Sequence, residues 1–275
     1  MTMIRPQRVH RVFLAFVFAT GVACVARAQP QTTTLFEPTV GQSGKDVVWV
    51  PTPPELVEKM LDMAQVTPQD FVIDLGSGDG RNVIGAAKRG ARALGIEYNP
   101  DMVELSKRNA EAAGVGDKAR FVRGDMFASD FSQASVLALF LLPSNMLQLR
   151  AKFLQLKPGT RIVANQFGIE GWTADQTETL SECSQWCTAL LWIVPAKVQG
   201  TWRLSQGELT LKQDYQMVSG NLGGAPIANG RLRGDRITFS VGTAEYTGRV
   251  NGNAIEGTVS TGGTVSRWKA SRSGH

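Results

Sequence analysis

The amino-acid sequence predicts an α/β fold with a parallel sheet over residues 46–196 and a small antiparallel all-β domain over residues 197–275. Up to Pro195, short apolar runs alternate with helical segments, which is typical of parallel strands joined by crossover helices. Beyond Pro195, helical periodicity disappears. Glycine-containing turns then recur roughly every ten residues, which indicates a meander or a small barrel.

Each element of the first domain follows from a local pattern. Pro53 and Pro54 suit a helix start, and Leu56, Met60 and Met63 fall on one face of that helix. Apolar strands are expected at residues 71–75, 91–96, 119–122, 135–142 and 161–166, with helices near residues 81–88, 100–113 and 144–156.

Residues 1–28 have the pattern of a secretory signal peptide. Arginines precede an apolar run at residues 12–25, and Ala26 and Ala28 form a small-x-small cleavage site before Gln29. The run is shorter than the roughly 20 apolar residues of a membrane-spanning helix. We therefore expect an exported protein, periplasmic or secreted, with an uncleaved membrane anchor and membrane proximity as the alternative.

Charge is unevenly distributed along the chain. The whole sequence has 29 basic and 24 acidic residues, but residues 1–28 hold four arginines and no acid, which leaves 25 against 24. A polar linker at residues 29–45 leads into the first domain. Residues 29–196 carry 15 basic and 19 acidic groups (−4), and residues 197–275 carry 10 and 5 (+5). The basic excess therefore does not predict nucleic-acid binding.

The few histidines and cysteines restrict the chemistry. His10 and His275 are the only histidines in the sequence, so a histidine base is not expected, and no Cys/His cluster has the spacing of a zinc site. Cys183 and Cys187 suit either a disulfide, as in exported proteins, or two half-buried thiols.

The sequence "FVIDLGSGDGR" places a glycine loop directly after an apolar strand. Gly76, Gly78 and Gly80 differ in spacing from the dinucleotide fingerprint, whose third small residue is replaced here by Arg81. Asp74 precedes the loop, where a carboxylate would repel a pyrophosphate and stabilise a cationic ligand. S-adenosylmethionine has an ammonium and a sulfonium and no phosphate, and it is the cofactor that we expect.

Two further carboxylates follow neighbouring strands. Glu97 ends the second strand, where ribose hydroxyls are bound in related folds, and Asp125 follows the third, where an adenine amino group would be met. Each acid alone suits a helix cap or a solvated loop charge. Together with Asp74 they lie at the ligand-binding edge of the predicted sheet.

The stretches "VPTPPELVEKML", "VIDLGSGDGRNVI", "GIEYNP", "LLPSNMLQL" and "GWTAD" resemble the class I methyltransferases related to the lysine N-methyltransferase of the ATP synthase c subunit. The resemblance covers about residues 46–195. It implies a seven-stranded Rossmann-like sheet, S-adenosylmethionine binding and N-methylation of a protein lysine. It also implies that Thr52 lies in a lid over the cofactor, whereas the prolines around it suit a plain helix-start turn.

The acceptor is expected where the fourth strand ends in "ALFLLPSN". This stretch lacks the Asn/Asp-Pro-Pro-aromatic sequence of amide and base methylation, and its apolar character suits a neutral amine, because desolvation lowers a lysine pKa. Leu142, Pro143 and Trp172 are the candidate acceptor-site residues, with Asp175 beside them, and no catalytic base is identified. Alternatively, Leu142 and Pro143 only end a buried strand, Trp172 is a packed side chain and Asp175 is a cap.

Two other interpretations remain open at this stage. The acceptor is a small molecule instead of a protein, or the chain is a non-catalytic envelope binding protein on a methyltransferase fold. In the second domain, Arg231 and Arg233 share a strand face near Arg236. These arginines form a solvated face, an anion-binding patch or a dock for the acidic first domain.

We expect the mature protein to begin at or near Gln29 after expression in a bacterial host, because residues 1–28 combine the three parts of a cleavable signal. Intact-mass measurement tests this expectation. A mass equal to that of the full chain contradicts cleavage and favours the anchor.

Overall fold

The computed structural model describes residues 1–3 and 36–273. Apart from its first three residues, the predicted signal peptide lies outside the described residues. Contacts divide the chain into Met1–Leu35 and Phe36–His275, and the fold described here is that of the second unit. In the described part of the chain, no helix is long and apolar enough to cross a membrane.

The first sheet has seven strands in the order β3-β2-β1-β4-β5-β7-β6, which confirms the predicted seven-stranded sheet. Its strands are β1 (Phe71–Leu75), β2 (Arg92–Glu97), β3 (Ala119–Arg123), β4 (Val136–Leu139), β5 (Arg161–Asn165), β6 (Gln176–Thr179) and β7 (Thr188–Ile193). Strands β1 to β5 are parallel, and β7 runs antiparallel to both β5 and β6. Helices are α1 (Pro54–Met63), α2 (Arg81–Lys88), α3 (Pro100–Ala112) and α4 (Pro143–Phe153).

Apolar clusters cover both faces of this sheet, as a parallel sheet requires. Side chains of α1, α2 and α3 form one cluster, which includes Leu56 and Val83, and the α4 side chains Met146 and Phe153 belong to the other. Because β1, β2 and β3 are parallel, their carboxyl ends meet at one edge, which becomes the site described below.

The fourth strand is shorter than predicted. It ends at Leu139, not near Leu142, and Leu142 is the cap residue of a helix that begins at Pro143. Proline at the first helical position lacks only an N–H that has no partner within the helix, so "LLPSN" starts a helix instead of continuing the strand.

The second sheet is an antiparallel barrel. Its strands are β8 (Gly200–Leu204), β9 (Gly207–Asp214), β10 (Met217–Leu222), β12 (Ala228–Arg233), β13 (Arg236–Val241), β14 (Ala244–Asn251), β15 (Ala254–Thr261) and β16 (Thr264–Arg272), with the two-residue β11 (Ala225–Pro226) beside β10. Pairing of β9 with β10 closes the eight main strands into a ring. The predicted antiparallel all-β domain is therefore confirmed, in its barrel form.

Trp172 joins the first sheet to the barrel. It is 2% exposed, its indole N–H donates to Gln216 Oε1 at 2.9 Å, and its ring stacks on Tyr215 with centroids 5.6 Å apart. Gln216 donates in turn to the carbonyl of Thr173 at 2.7 Å. The barrel covers Trp172, as expected from the alternative in which this residue is a packed side chain.

One of the three predicted arginines docks the barrel on the first domain. Arg231 lies 2.7 Å from Asp175, whose side chain is 1% exposed and whose other oxygen accepts a hydrogen bond from the Ile193 N–H. Arg233 and Arg236 are exposed and make no ion pair within the described residues. Docking therefore depends on a specific ion pair and on the Trp172 contacts, more than on the opposite net charges.

We expect Arg231→Glu to destabilise the protein by roughly 1–2 kcal/mol, because the buried carboxylate of Asp175 loses a charged donor and gains a like charge. A lower midpoint of thermal unfolding and faster proteolysis between residues 195 and 200 would show the effect. Arg233→Glu is the matched control for charge. Equal behaviour of the two variants would contradict the docking role of Arg231.

Candidate cofactor site

A cleft lies at the carboxyl edge of the first sheet, with about 870 Å³ of empty space that includes space open to solvent. Its walls are the glycine loop after β1, the ends of β2, β3 and β4, and residues 42–52. This is the edge at which open α/β sheets bind ligands.

The glycine loop is held by the neighbouring strand. The Gly76 N–H donates to the Ile96 carbonyl at 2.8 Å, and the Gly78 N–H donates to the Glu97 carboxylate at 3.0 Å. Gly78 has φ +55°, and a Cβ on it would lie 2.9 Å from the indole nitrogen of Trp49. Only glycine fits there, because both the backbone conformation and the close approach exclude a side chain.

Gly80 lies behind the loop and does not line the cleft. It has φ +88° at the start of α2, and a Cβ on it would come within 2.8 Å of Phe121 and Ser106. The structure therefore does not bring Gly80, predicted to bind cofactor, to the site. This glycine lets α2 start close to the core.

Asp74 lines the cleft at the end of β1 and is only 3% exposed. Its Oδ2 accepts a hydrogen bond from Asn82 Nδ2 at 3.1 Å. Burial raises the pKa of Asp74 well above its usual range, and the charges of Glu97 and Asp79 raise this pKa further against the opposing Asn82 bond. A cationic ligand in the cleft would favour the ionised carboxylate.

Two buried polar atoms beside Asp74 have no hydrogen-bond partner in the described structure: Ser77 Oγ and Asn82 Oδ1. Both residues line the cleft and are at most 5% exposed. Because buried polar groups are nearly always paired, a polar ligand that reaches Asn82 Oδ1 would supply a missing partner, whereas Ser77 Oγ lies against Gly95 of β2. Sequence reasoning missed both residues, although Asn82 lies in the quoted "GDGRN" motif.

Glu97 and Asp125 complete the acidic rim. The two oxygens of Glu97 accept from the N–H groups of Gly78 and Asn99 at 3.0 and 2.9 Å. Asp125 lies 2.5 Å from Lys45 of the segment 42–52, and this hydrogen bond lowers the pKa of the Asp125 carboxyl. The structure thus brings Asp74, Glu97 and Asp125 to one cleft, as predicted.

Thr52 lies over the cleft, where the resemblance implied a lid. It is 2% exposed, its hydroxyl accepts from Asn165 Nδ2 at 3.3 Å, and its carbonyl accepts from Arg81. Arg81 also pairs with Asp79 in the glycine loop. Segment 42–52 is therefore tied to the loop through Arg81 and to β5 through Asn165.

Phe140, the first residue after β4, also lines the cleft, as do the aromatic residues Trp49 and Tyr98. Leu142 and Pro143, the predicted acceptor residues, do not line it. Leu142 is 38% exposed and caps α4, and Pro143 is the exposed first residue of that helix. The prediction extended β4 beyond Leu139, so it assigned Leu142 and Pro143 to the strand end and not to the start of α4.

Cys183 and Cys187 form a disulfide, the first of the two alternatives left open by the sequence. They lie in the connection between β6 and β7, not on a helix. The geometric objection to bridging cysteines four residues apart on a helix therefore does not apply.

The donor set of the cleft fits S-adenosylmethionine. The buried Asp74 faces the space where a cationic group would be favoured, and Glu97 and Asp125 offer carboxylates for hydroxyl and amino groups. Ser77 and Asn82 add unpaired oxygen atoms. A phosphate-containing cofactor would instead meet these carboxylates with like charge.

Comparison with known proteins identifies relatives of about half of this chain. The family described as "ANTKMT methyltransferase domain" matches residues 74–176. A protein-lysine N-methyltransferase of Saccharolobus islandicus is 38% identical over 151 residues, which is 54% of this chain and 94% of that protein. The mouse lysine N-methyltransferase of the ATP synthase c subunit is 39% identical over 130 residues, 47% of this chain and 52% of that protein. The chain thus spans about half the length of this mammalian relative.

A solved structure also resembles the chain. It is described as an RNA methyltransferase from Salinibacter ruber in complex with S-adenosyl-L-homocysteine. Identity is 44%, the TM-score is 0.51, and the likeness covers 54% of this chain and 96% of that one. The bound homocysteine derivative is the demethylated product of S-adenosylmethionine, which agrees with the donor set of the cleft.

We expect Asp74→Asn to weaken S-adenosylmethionine binding by about 2 kcal/mol, roughly 30-fold, because a desolvated charge partner is lost. Isothermal calorimetry measures this loss. Glu55→Gln, which removes an exposed carboxylate on α1, is the matched control. Unchanged affinity in Asp74→Asn would contradict the assignment.

The same substitution should stabilise the ligand-free protein at neutral pH. Because the folded-state pKa of Asp74 is raised, its contribution to stability is full below its unfolded-state pKa near 3.8 and is lost as pH rises through the folded-state value. The midpoint of thermal unfolding should be higher for Asp74→Asn than for wild type, and this difference should widen as pH rises from 4 to 8. A constant difference would contradict the raised pKa.

Proposed function

The chain belongs to the protein-lysine N-methyltransferase family of class I S-adenosylmethionine-dependent methyltransferases, and from this premise we propose that it methylates the side-chain amine of a lysine in a protein. The observation that carries the proposal is the buried Asp74 carboxylate at the glycine loop, next to unpaired polar atoms. This arrangement suits a donor with a cationic end. The Saccharolobus relative, which this chain covers almost completely, supports lysine as the acceptor.

Methyl transfer requires position more than acid–base catalysis. The unprotonated lysine nitrogen forms a bond to the methyl carbon while the carbon–sulfur bond breaks, and the sulfur keeps the bonding pair and leaves as neutral S-adenosylhomocysteine. The lysine ammonium therefore loses one proton to water before the attack, and the product nitrogen keeps the positive charge as a methylammonium. The protein contributes by holding donor and acceptor in line.

The apolar side of the cleft favours the reactive form of the amine. Phe140 lies where the acceptor approaches, and desolvation beside an aromatic ring lowers the pKa of a lysine. The carboxylates lie on the donor side, at the ends of β1, β2 and β3. The two sides of the cleft therefore suit the two reactants.

RNA is a less suitable acceptor, although the Salinibacter protein is described as an RNA methyltransferase. Residues 29–196 of this chain carry a net charge of −4. A nucleic-acid substrate needs basic groups to neutralise its phosphates. The carboxylates at the rim of the cleft carry the same negative charge as phosphates and would repel them.

We also propose that the protein acts outside the cytoplasm. The N-terminal pattern supports export, and the Cys183–Cys187 disulfide suits an oxidising compartment. An acceptor would then be a protein of the cell envelope. A small-molecule acceptor remains the alternative, and the experiment below separates the two.

We expect the purified protein, incubated with methyl-labelled S-adenosylmethionine and a cell-envelope extract, to place the label on lysine side chains, identified by peptide mass spectrometry. At donor concentrations below saturation, Asp74→Asn should lower the rate of methyl transfer roughly 30-fold, because it weakens donor binding by that factor. Glu55→Gln should leave this rate unchanged.

Label found only in small molecules or in RNA would overturn protein lysine as the acceptor. Donor binding by calorimetry without transfer to any fraction would favour the non-catalytic binding protein. Apart from label in RNA, which the sequence did not predict, each outcome selects one of the interpretations that the sequence left open.

A further inference from the structure

Three aromatic side chains form a cluster at the acceptor side of the cleft. Phe140 and Phe167 have ring centroids 6.2 Å apart, Trp186 lies 5.8 Å from Phe140, and Trp186 lies 5.6 Å from Phe167. All three side chains are only partly buried. Because Phe140 also lines the cleft, the cluster adjoins the cleft through this ring.

The backbone that presents two of these rings is strained. Gln166 has φ +63°, and the Phe167 N–H donates to the Asn165 carbonyl at 2.7 Å, which is the hydrogen bond of a tight three-residue turn. Trp186 has φ +58°. Non-glycine residues rarely adopt this region, and such positions concentrate at functional sites. These two strained residues lie at one cluster, beside the end of β5.

A disulfide closes the loop that carries Trp186. Cys183 and Cys187 bound residues 183–187, between β6 and β7, and their Cα atoms are 5.7 Å apart. The Thr188 carbonyl, next in the chain, accepts from the Gln166 N–H at 2.7 Å. The crosslinked loop and the strained turn before Phe167 are therefore joined, and reduction would free the Trp186 loop from its crosslink.

The chemistry of the cluster suits a lysine side chain. Aromatic faces contact the apolar stem of a lysine and attract its ammonium or methylammonium head as it enters. A planar nucleobase would also stack on these rings, but it would not gain the cation–π attraction that a methylammonium group gains.

We propose that Phe140, Phe167 and Trp186 form the entrance through which the acceptor lysine reaches the cleft, and that the Cys183–Cys187 disulfide positions Trp186 in it. This assignment rests on the proposed function. It adds a substrate-binding surface and a redox requirement, which neither the glycine loop nor the acidic rim supplies.

The test uses the oxidised full chain saturated with S-adenosylhomocysteine, titrated with Nα-acetyl-trimethyllysine amide and with its uncharged carbon isostere. Calorimetry or ligand-detected NMR should show that the cationic probe binds more tightly than the isostere. Trp186→Ala should lower the affinity for the cationic probe about tenfold, and Trp186→Phe should keep most of the wild-type affinity. S-adenosylhomocysteine affinity, measured in parallel, should stay within about twofold in every variant.

Equal probe affinity in wild type and Trp186→Ala would overturn the entrance, as would no binding of the cationic probe to wild type. A parallel loss of S-adenosylhomocysteine affinity would also overturn it, because Trp186 would then support the fold of the donor site. Lysine methylation measured by mass spectrometry decides the proposed function separately. If lysine is methylated but Trp186→Ala does not change the affinity for the probe, only the entrance is rejected.

The disulfide part has its own test. Reduction of the disulfide in wild type should lower the affinity for the cationic probe several-fold, and reoxidation should restore this affinity. The double variant Cys183→Ser/Cys187→Ser should bind the cationic probe weakly from the outset, and neither reduction nor reoxidation should change its affinity. Unchanged affinity after reduction would overturn the positioning role of the disulfide.

Discussion

The buried carboxylate of Asp74 is the constraint on which the rest of the donor site depends. A charge that is 3% exposed at the end of a central strand costs free energy unless a partner compensates it. Asn82 gives one hydrogen bond, and no cation pairs with Asp74 within the described structure. The site is therefore less stable without a ligand than it would be with a neutral side chain, and binding energy is available to a cationic donor.

Neighbouring elements adapt to this carboxylate. The glycine loop turns immediately after it, is anchored on Glu97, and leaves room at Gly78 for Trp49 of the overlying segment. Arg81 pairs with Asp79 and with the Thr52 carbonyl, so the positive charge nearest the loop is used to hold the segment 42–52. Asp74 is thus left without a cationic partner among the described residues, whereas Asp125 is paired with Lys45.

The barrel contacts the part of the first domain that follows β5. Its contacts through Trp172, Tyr215 and Gln216 lie on the segment after β5, which continues into the β6–β7 connection with the disulfide. On the proposed function, the donor half of the cleft depends on local loop geometry. The acceptor half depends on the crosslinked loop, whose flanking strands the barrel contacts hold in place.

Much of this architecture could be predicted from local sequence. Apolar runs, helix-start prolines and the glycine loop have short-range signals, so β1, α2 and β5 were located almost to the residue. Parallel strands necessarily bring their carboxyl ends to one edge, which is why Asp74, Glu97 and Asp125 were correctly grouped. The end of β4 was misplaced because an apolar run does not itself show where a strand stops and a helix begins.

Contacts between distant residues required the tertiary structure. The sequence by itself determined the alternating α/β pattern, the glycine-rich turns of the barrel and the acidic strand ends, because each depends on neighbouring residues or on strand order. Only the tertiary structure decided that Gly80 packs on Phe121, that Trp172 lies under the barrel, and that Phe140, Phe167 and Trp186 meet. The physical reason is that packing between segments depends on how whole elements cross in space, and no local period or spacing records that arrangement.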